Sequence, residues 1–256
     1  MKTSEHESAA QFLLAARNRG TPGSRIPEDY RPATAADGLA IQARVGELLG
    51  WPVGGWKCSV PTGPRPAPLA PIFAPTIQRT SPCALKGTGP SARIEPEIAF
   101  VLGRDLPKRA TPYSDHEVND AVQEARFVLE LMGSRYTEPS SVTFAELVAD
   151  GISNQGLFVG PVLVDPWHRT LEAFPLTVHA GSDVFATKDG KHPDGHPVRP
   201  LYWLANHLAA QNNPLRAGMI VTTGSYCGVL DVPLDTPLKF TYGDLGALAV
   251  TLTRAP

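Results

Sequence analysis

The sequence predicts an α+β fold: a small N-terminal helical region leading into a larger β-rich domain. Three observations carry that prediction. Two capped, Ala- and Leu-rich segments occupy the first fifty residues. After Trp51 the texture changes to short β-branched and aromatic runs separated by turn residues. The 256 residues also include 23 glycines and 26 prolines, many for a helical protein yet too few for low-complexity sequence. With 42% hydrophobic and 19% charged residues, the chain has ample material for a buried core, and disorder is not expected.

Each element follows in order. Residues 8–19 read as a helix that stops at Gly20. Thr34 with Asp37 three residues on forms a capping box for a second helix ending near Gly50, with Leu39, Ile41, Val45, Leu48 and Leu49 at helical spacing. Residues 56–60 read as a short strand. Six prolines between Pro61 and Pro75 then imply an irregular, extended loop. Residues 93–102 are a strand by their Ile, Phe and Val content. Ser114-x-x-Glu117 caps a helix through about Arg126, and residues 127–132 follow as a strand. Thr143-x-x-Glu146 opens another short helix. Residues 156–164 and 176–187 read as strands, 197–211 as a helix, and 219–223 and 238–251 as two closing strands. The division expected is a helical region over 1–50 and a catalytic domain over 51–256.

Composition also excludes function classes. A formal net charge of -2 gives no electrostatic reason for a nucleic-acid or anionic-membrane partner. The first twenty residues contain neither the apolar run of a signal peptide nor the length of a membrane span. Cys58, Cys83 and Cys227 are odd in number and far apart, which implies no disulfide framework, no zinc site and a cytoplasmic location. His192 and His196 have the spacing of a zinc pair, but Pro193, Gly195 and Pro197 forbid the helix that spacing needs, so a polar loop is expected. Gly224-Ser225-Tyr226-Cys227-Gly228 is neither a nucleophile elbow nor a phosphate loop, and no dinucleotide or Walker pattern occurs.

The segment with the sharpest chemistry is Ile94-Glu95-Pro96-Glu97-Ile98-Ala99-Phe100. Residues two apart on a strand share a face, so Glu95 and Glu97 project together, about 6.5–7 Å apart at the backbone. Such a pair can hold a hard divalent cation, although a Glu-x-Glu on its own is most often a solvated face. Pro96 cannot donate a ladder hydrogen bond, which places it at an edge or a bulge. Glu130 lies within Phe127-Val128-Leu129-Glu130-Leu131-Met132, where an unpaired charge is costly to bury. A salt bridge to Arg126 or Arg135 is the plainer reading. Lys57 shares a strand face with Ser59; it either reaches solvent or acts as an acid or electrostatic clamp beside a metal.

At these residues the chain resembles the hydratase/decarboxylase branch of the fumarylacetoacetate hydrolase superfamily, from about Gly50 to the C-terminus. Gly55-Trp56-Lys57-Cys58 is similar to the family's glycine-aromatic-lysine strand. The run from Arg93 to Gly103 matches its metal-binding strand, and Leu129-Glu130-Leu131-Met132-Gly133-Ser134-Arg135-Tyr136 resembles the strand supplying a third carboxylate. Val148-Ala149-Asp150-Gly151 with Asn154, Leu201 to Leu208, Leu215-x-Ala217-Gly218 and Thr223-Gly224-Ser225 follow in the family's order.

The resemblance implies a fumarylacetoacetase-type mixed β-roll and a Mg²⁺ or Mn²⁺ ion held by Glu95, Glu97 and Glu130. It implies Lys57 as the catalytic residue and Ser59, Asn154, Gly224 and Ser225 as substrate contacts. The implied activity is a lyase on a small 2-oxo acid in aromatic compound catabolism: a hydratase first, then a decarboxylase or acylpyruvate hydrolase. A non-catalytic scaffold that binds a pathway enzyme is the contrasting reading. A homo-oligomer is also implied, consistent with the apolar, Pro-rich segment 61–75. Three departures stand out. No Asp or Glu occurs between Pro52 and Ile94, where the family carries an acidic residue; Gly133 stands where it has Asp; and Gly151 stands where it has Asn.

Overall fold

The computed structural model describes residues 2–63, 66–87 and 89–255. The chain opens with α1 (Thr3–Arg19) and α2 (Ala35–Leu49), which end at Gly20 and Gly50, both left-handed, with φ of 71° and 62°. Helix α1 starts five residues before the expected point. The Thr34–Asp37 capping box forms as read from the sequence. Strand β1 (Val53–Cys58) pairs antiparallel with β2 (Leu69–Phe73). Here the expectation of an irregular Pro-rich loop over 61–75 is corrected in its second half, where residues 69–73 form β2. Pro71 is accommodated because β2 is the outermost strand of its sheet, where a missing N–H breaks no ladder.

The chain continues through β3 (Ile77–Gln78), β4 (Cys83–Leu85) and the long β5 (Ser91–Leu102). Helix α3 (Asp115–Ala121) is shorter than expected, because Val122 already pairs with Leu102 and the sheet claims the following residues for β6 (Val122–Met132). Then come α4 (Phe144–Ala149) and β7 (Asn154–Leu163). The single strand expected over 176–187 is a hairpin, β8 (Ala173–Ala180) and β9 (Asp183–Lys191), turning at left-handed Gly181. Helix α5 (Val198–Ala210), β10 (Ile220–Thr222) and β11 (Leu230–Pro233) follow. The expected strand 238–251 is a second hairpin, β12 (Pro237–Tyr242) and β13 (Gly246–Arg254).

Among the described residues these strands form two curled sheets. The larger runs β2-β1-β10-β5-β6-β7-β3, with β11 added to β5, and the smaller runs β4-β13-β12-β8-β9. The main core includes Ile94, Ile98 and Phe100 of β5, Phe127 and Leu129 of β6, and Phe240 and Leu248 of the smaller sheet, with Leu201, Leu204 and Leu208 of α5. Alternation turns the other residues of the large sheet to its opposite face. There Ala99, Val101, Val128, Leu157 and Ile220 form a smaller apolar cluster. Glu95, Glu97 and Glu130 lie on this second face, in phase with Ala99 and Val128. Helices α1 and α2 share a third cluster with Tyr136 and Ala149, which packs the N-terminal region against α4.

Candidate active site

The register of β5 and β6 brings the carboxylates together. Glu95 stands directly opposite Glu130, and Glu97 stands opposite Val128. One side-chain oxygen from each of Glu95, Glu97 and Glu130 lies within 4.8 Å of the others. Glu97 and Glu130 are buried, at 2% and 0% exposure, while Glu95 is half-buried. Like charges directly opposite on a ladder repel, so this grouping needs a counter-charge.

Lys57 provides one. It lies in register with Thr222 of β10, which faces Ala99 of β5, so all three occupy the carboxylate face. Its Nζ donates to Glu130 Oε1 at 2.5 Å and to the Ile152 carbonyl at 3.3 Å. The pair spans three strand spacings, roughly 14 Å in a flat sheet, which the sheet's coil and two extended side chains close. Lysine and strand are set there by Gly55: any side chain at that position would collide with the Ile220 backbone of β10. Glu130's partner is therefore Lys57, not the expected Arg126 or Arg135. Arg126 pairs with Glu124 and Arg135 with Asp150.

Each carboxylate has its own environment. Asn154 Nδ2 also donates to Glu130 Oε1, at 2.9 Å, so both donors use one oxygen. Among the described residues, Glu130 Oε2 is buried with no hydrogen-bond partner. Glu97 Oε2 accepts from Thr222 Oγ1 and from the Gly224 N–H at 2.9 Å. Burial, reinforced by Glu130 and Glu95, pushes the Glu97 carboxyl up to about 8. Burial and then Glu130 likewise raise the Glu95 carboxyl. For Lys57, burial opposes the charged form, but Glu130, Glu95 and Glu97 outweigh it and hold the ammonium above its ordinary pKa. Three acidic groups against one ammonium, with an orphaned buried oxygen, form a donor set that fits a hard cation.

The strand edge at this point is open in the way Pro96 requires. Strand β10 pairs with residues 99–101 of β5, and β11 pairs with residues 91–94. In the gap the segment 224–226 bends over β5, and the Pro96 carbonyl accepts from Tyr226 N at 3.3 Å and Ser225 Oγ at 3.4 Å. Gly224 has φ of 122°, and a Cβ there would lie 3.0 Å from Pro193 Cγ.

Of the expected substrate contacts, Asn154 and Gly224 bond directly to the carboxylate cluster. Ser59 Oγ instead donates to Asp194 at 2.7 Å, and Ser225 turns to backbone carbonyls. His192 lies in a loop as expected, but it is buried.

A supporting network escaped the sequence reading. Arg135 binds the Asp150 side chain and backbone, the Gly133 carbonyl at 2.6 Å and the Asn154 carbonyl at 2.8 Å, tying the end of α4 to the start of β7. Burial raises the Asp150 carboxyl against the pull of Arg135. Between the two lies a left-handed run, Gly151, Ile152 and Ser153, with φ of 65°, 52° and 59°; it turns the Ile152 carbonyl to Lys57. The Gln155 side chain fills the space a residue larger than Gly133 would need and donates to the Met132 carbonyl at 2.8 Å. Arg93 and Met132, the next facing pair on the carboxylate side of β5 and β6, line a cavity of about 550 Å³ with Arg17, Arg135 and Arg254.

No family model matches the chain. It is 28% identical over 230 residues to 2-keto-4-pentenoate hydratase 2 of Dechloromonas aromatica, covering 86% of each chain. Against 2-keto-4-pentenoate hydratase of Paraburkholderia xenovorans it is 27% identical over 240 residues, covering 88% of this chain and 86% of that one. Among solved structures, 4-oxalocrotonate decarboxylase from Pseudomonas putida, complexed with magnesium and adipate, superposes with a TM-score of 0.79 at 18% identity, covering 98% of each chain. A fumarylacetoacetate hydrolase family protein from Yersinia pestis gives 0.56 at 15% identity, covering 79% of this chain and 93% of that one. The chain is a relative of the 2-keto-4-pentenoate hydratases and 4-oxalocrotonate decarboxylases, built on the mixed β-roll of the fumarylacetoacetate hydrolase family.

Proposed function

We propose that the chain is a divalent-metal-dependent lyase acting on a small 2-oxo acid, as a 2-oxopent-4-enoate (2-hydroxypenta-2,4-dienoate) hydratase does. The observation that carries this reading is Glu130: both of its donors share Oε1, and Oε2 is left buried and unpartnered within a cluster of three carboxylates. Glu95, Glu97 and Glu130 are the ligands for Mg²⁺ or Mn²⁺. When bound, such an ion offers a 2-oxo carboxylate two chelating contacts and an electron sink for the enolate next to its carbonyl.

The chain's own groups do the rest. Lys57, held as an ammonium, donates to the enolic oxygen and moves its proton. Asn154 and Gly224 fix the carboxylates that they bond and border the substrate, together with Ser59 and Ser225. Arg17, Arg93 and Arg135 make the adjoining cavity attractive to an acid. Residues 1–50 are the helical region and 51–256 the catalytic domain, working in the cytoplasm as a homo-oligomer, with a pathway enzyme as a further partner.

A 4-oxalocrotonate-type decarboxylase is the second reading. It is favoured by the absence of Asp and Glu between Pro52 and Ile94, because decarboxylation needs the electron sink without a water-activating base. Ultraviolet assays of the Mg²⁺- or Mn²⁺-loaded protein on dienol and oxalocrotonate substrates test both. Water addition to the dienol supports the hydratase, carbon dioxide release the decarboxylase, and inactivity on both rejects the lyase. Light scattering tests the oligomer: a 27.4 kDa particle at micromolar concentration would reject it.

A further inference from the structure

Hydration needs a group that accepts a proton from water, and the loop in which the family's acidic residue stands has none. Resting on the lyase reading above, we propose that Asp194, acting through Ser59, is the proton acceptor that replaces it.

Asp194 belongs to the segment between β9 and α5, far from Lys57 in sequence. Its Oδ2 accepts from Ser59 Oγ at 2.7 Å and from the Val60 N–H at 3.2 Å. Ser59 follows Lys57 by two residues and extends the β1 ladder, its N–H donating to the Pro68 carbonyl at 3.2 Å. It therefore continues the face that carries Lys57. The far side of the same segment presses on the metal-strand side: Pro193 packs where a Gly224 side chain would stand, and the Gly224 N–H holds Glu97. The segment thus links the lysine strand, through Asp194, to the turn at Gly224 whose N–H holds Glu97.

The segment is anchored. His192 N donates to the Glu172 carbonyl at 2.8 Å, Asp194 N to His192 Nδ1 at 3.2 Å, and Arg199 Nη1 to the Asp194 carbonyl at 2.9 Å. The Asp194 side chain is half-buried, and among the described residues no lysine, arginine or histidine forms a salt bridge with it. Its two side-chain bonds come from a serine hydroxyl and an amide, so Oδ2 is placed to receive the Ser59 proton. His116 and His168 are poor substitutes. Both are exposed on the outer surface and already bonded to Asp120 and Asp165.

The step balances. Ser59 Oγ takes a proton from water as its own proton passes to Asp194 Oδ2. The hydroxide oxygen bonds to the distal carbon of the conjugated 2-oxo acid, the carbon–carbon π pair shifts to the bond beside the carbonyl carbon, and the carbonyl π pair moves onto oxygen as an enolate. The proton then returns through Ser59 to the carbon between, bonding to the enolate pair as the oxygen re-forms the carbonyl, which completes addition of H and OH and restores the carboxylate.

Three forms separate this role from a structural one: wild type, Asp194→Asn, whose amide oxygen still accepts from Ser59, and Asp194→Ala. With Mg²⁺, each is assayed for hydration of the dienoate and for exchange of the C3 protons of a saturated 2-oxo acid into D₂O. In Asp194→Asn, kcat for hydration should fall about 10²-fold or more while KM and exchange stay within about threefold. In Asp194→Ala, formate should restore part of the hydration rate without changing exchange. Hydration by Asp194→Asn within about threefold of wild type, equal loss of hydration and exchange, or no formate rescue would overturn the role. A wild type that exchanges but never hydrates overturns it and leaves the lyase reading standing. A wild type that neither exchanges nor binds Mg²⁺ removes both.

Discussion

Lys57 and Glu130, 73 residues apart in sequence, meet at 2.5 Å on the carboxylate face of the large sheet, and the carboxylate directly across the ladder from Glu130 is Glu95. The ammonium thus joins one carboxylate and sits in the field of the other two. Removing one partner of a buried ion pair typically costs about 3–5 kcal/mol, because the other charge is left uncompensated. Lys57→Ala should lose about that much stability when metal-free, and added Mn²⁺ should restore part of it by supplying positive charge. Denaturant titrations with and without Mn²⁺ read both effects. Equal destabilisation in the two conditions would argue against a shared cation site.

Glu97→Gln keeps an oxygen able to accept from Thr222 and Gly224 but removes a charge. Mn²⁺ affinity measured by calorimetry should fall at least about tenfold, since a hard cation prefers a charged oxygen. The folded structure should persist, because both hydrogen bonds survive. Unchanged affinity would remove Glu97 from the ligand set.

How much of this was readable before folding depends on distance along the chain. The capping boxes at Thr34, Ser114 and Thr143 span only four residues each, and all three form. The shared face of Glu95 and Glu97 follows from strand alternation alone. The end of α3 was missed because pairing between Val122 and Leu102 overrides local helix signals. The hairpins at Gly181 and Gly243 were read through because apolar alternation continues on both sides of each left-handed glycine. The Lys57–Glu130 and Ser59–Asp194 contacts have no local signal, since they exist only once the sheet coils.

Gly224→Ala tests the bend over Pro96. Alanine is strained at φ of 122°, and its Cβ would lie 3.0 Å from Pro193 Cγ. Such backbone strain costs about 1–3 kcal/mol. Because the Gly224 N–H holds Glu97, Mn²⁺ affinity should weaken together with the denaturation midpoint. A variant as stable and as tight-binding as wild type would contradict this account of the bend.

The pH dependence of stability carries the signature of His192, whose imidazole burial pushes down to about 4 from 6.5. Between those values the unfolded chain binds a proton that the folded chain refuses. Stability present above about pH 6.5 is therefore lost as the pH falls toward 4. The loss attributable to this ring is at most roughly 3 kcal/mol. Denaturation of wild type and His192→Gln at pH 7, 5.5 and 4.5 should show the wild type losing more across the range. Parallel curves would mean that the ring is protonated in the folded protein.

The left-handed run at residues 151–153 gives the site a breathing mode of its own. At Ile152, a left-handed backbone lies about 1–2 kcal/mol above the right-handed alternative. That energy is released whenever the link opens, so residues 150–154 should unlatch more often than the strands beside them. In hydrogen exchange, the Ile152 and Asn154 amides should lose protection before those within β5 and β6. Each opening withdraws the Ile152 carbonyl from Lys57 and the Asn154 amide from Glu130 together, so the site loosens as one unit while the sheet beneath it stays shut.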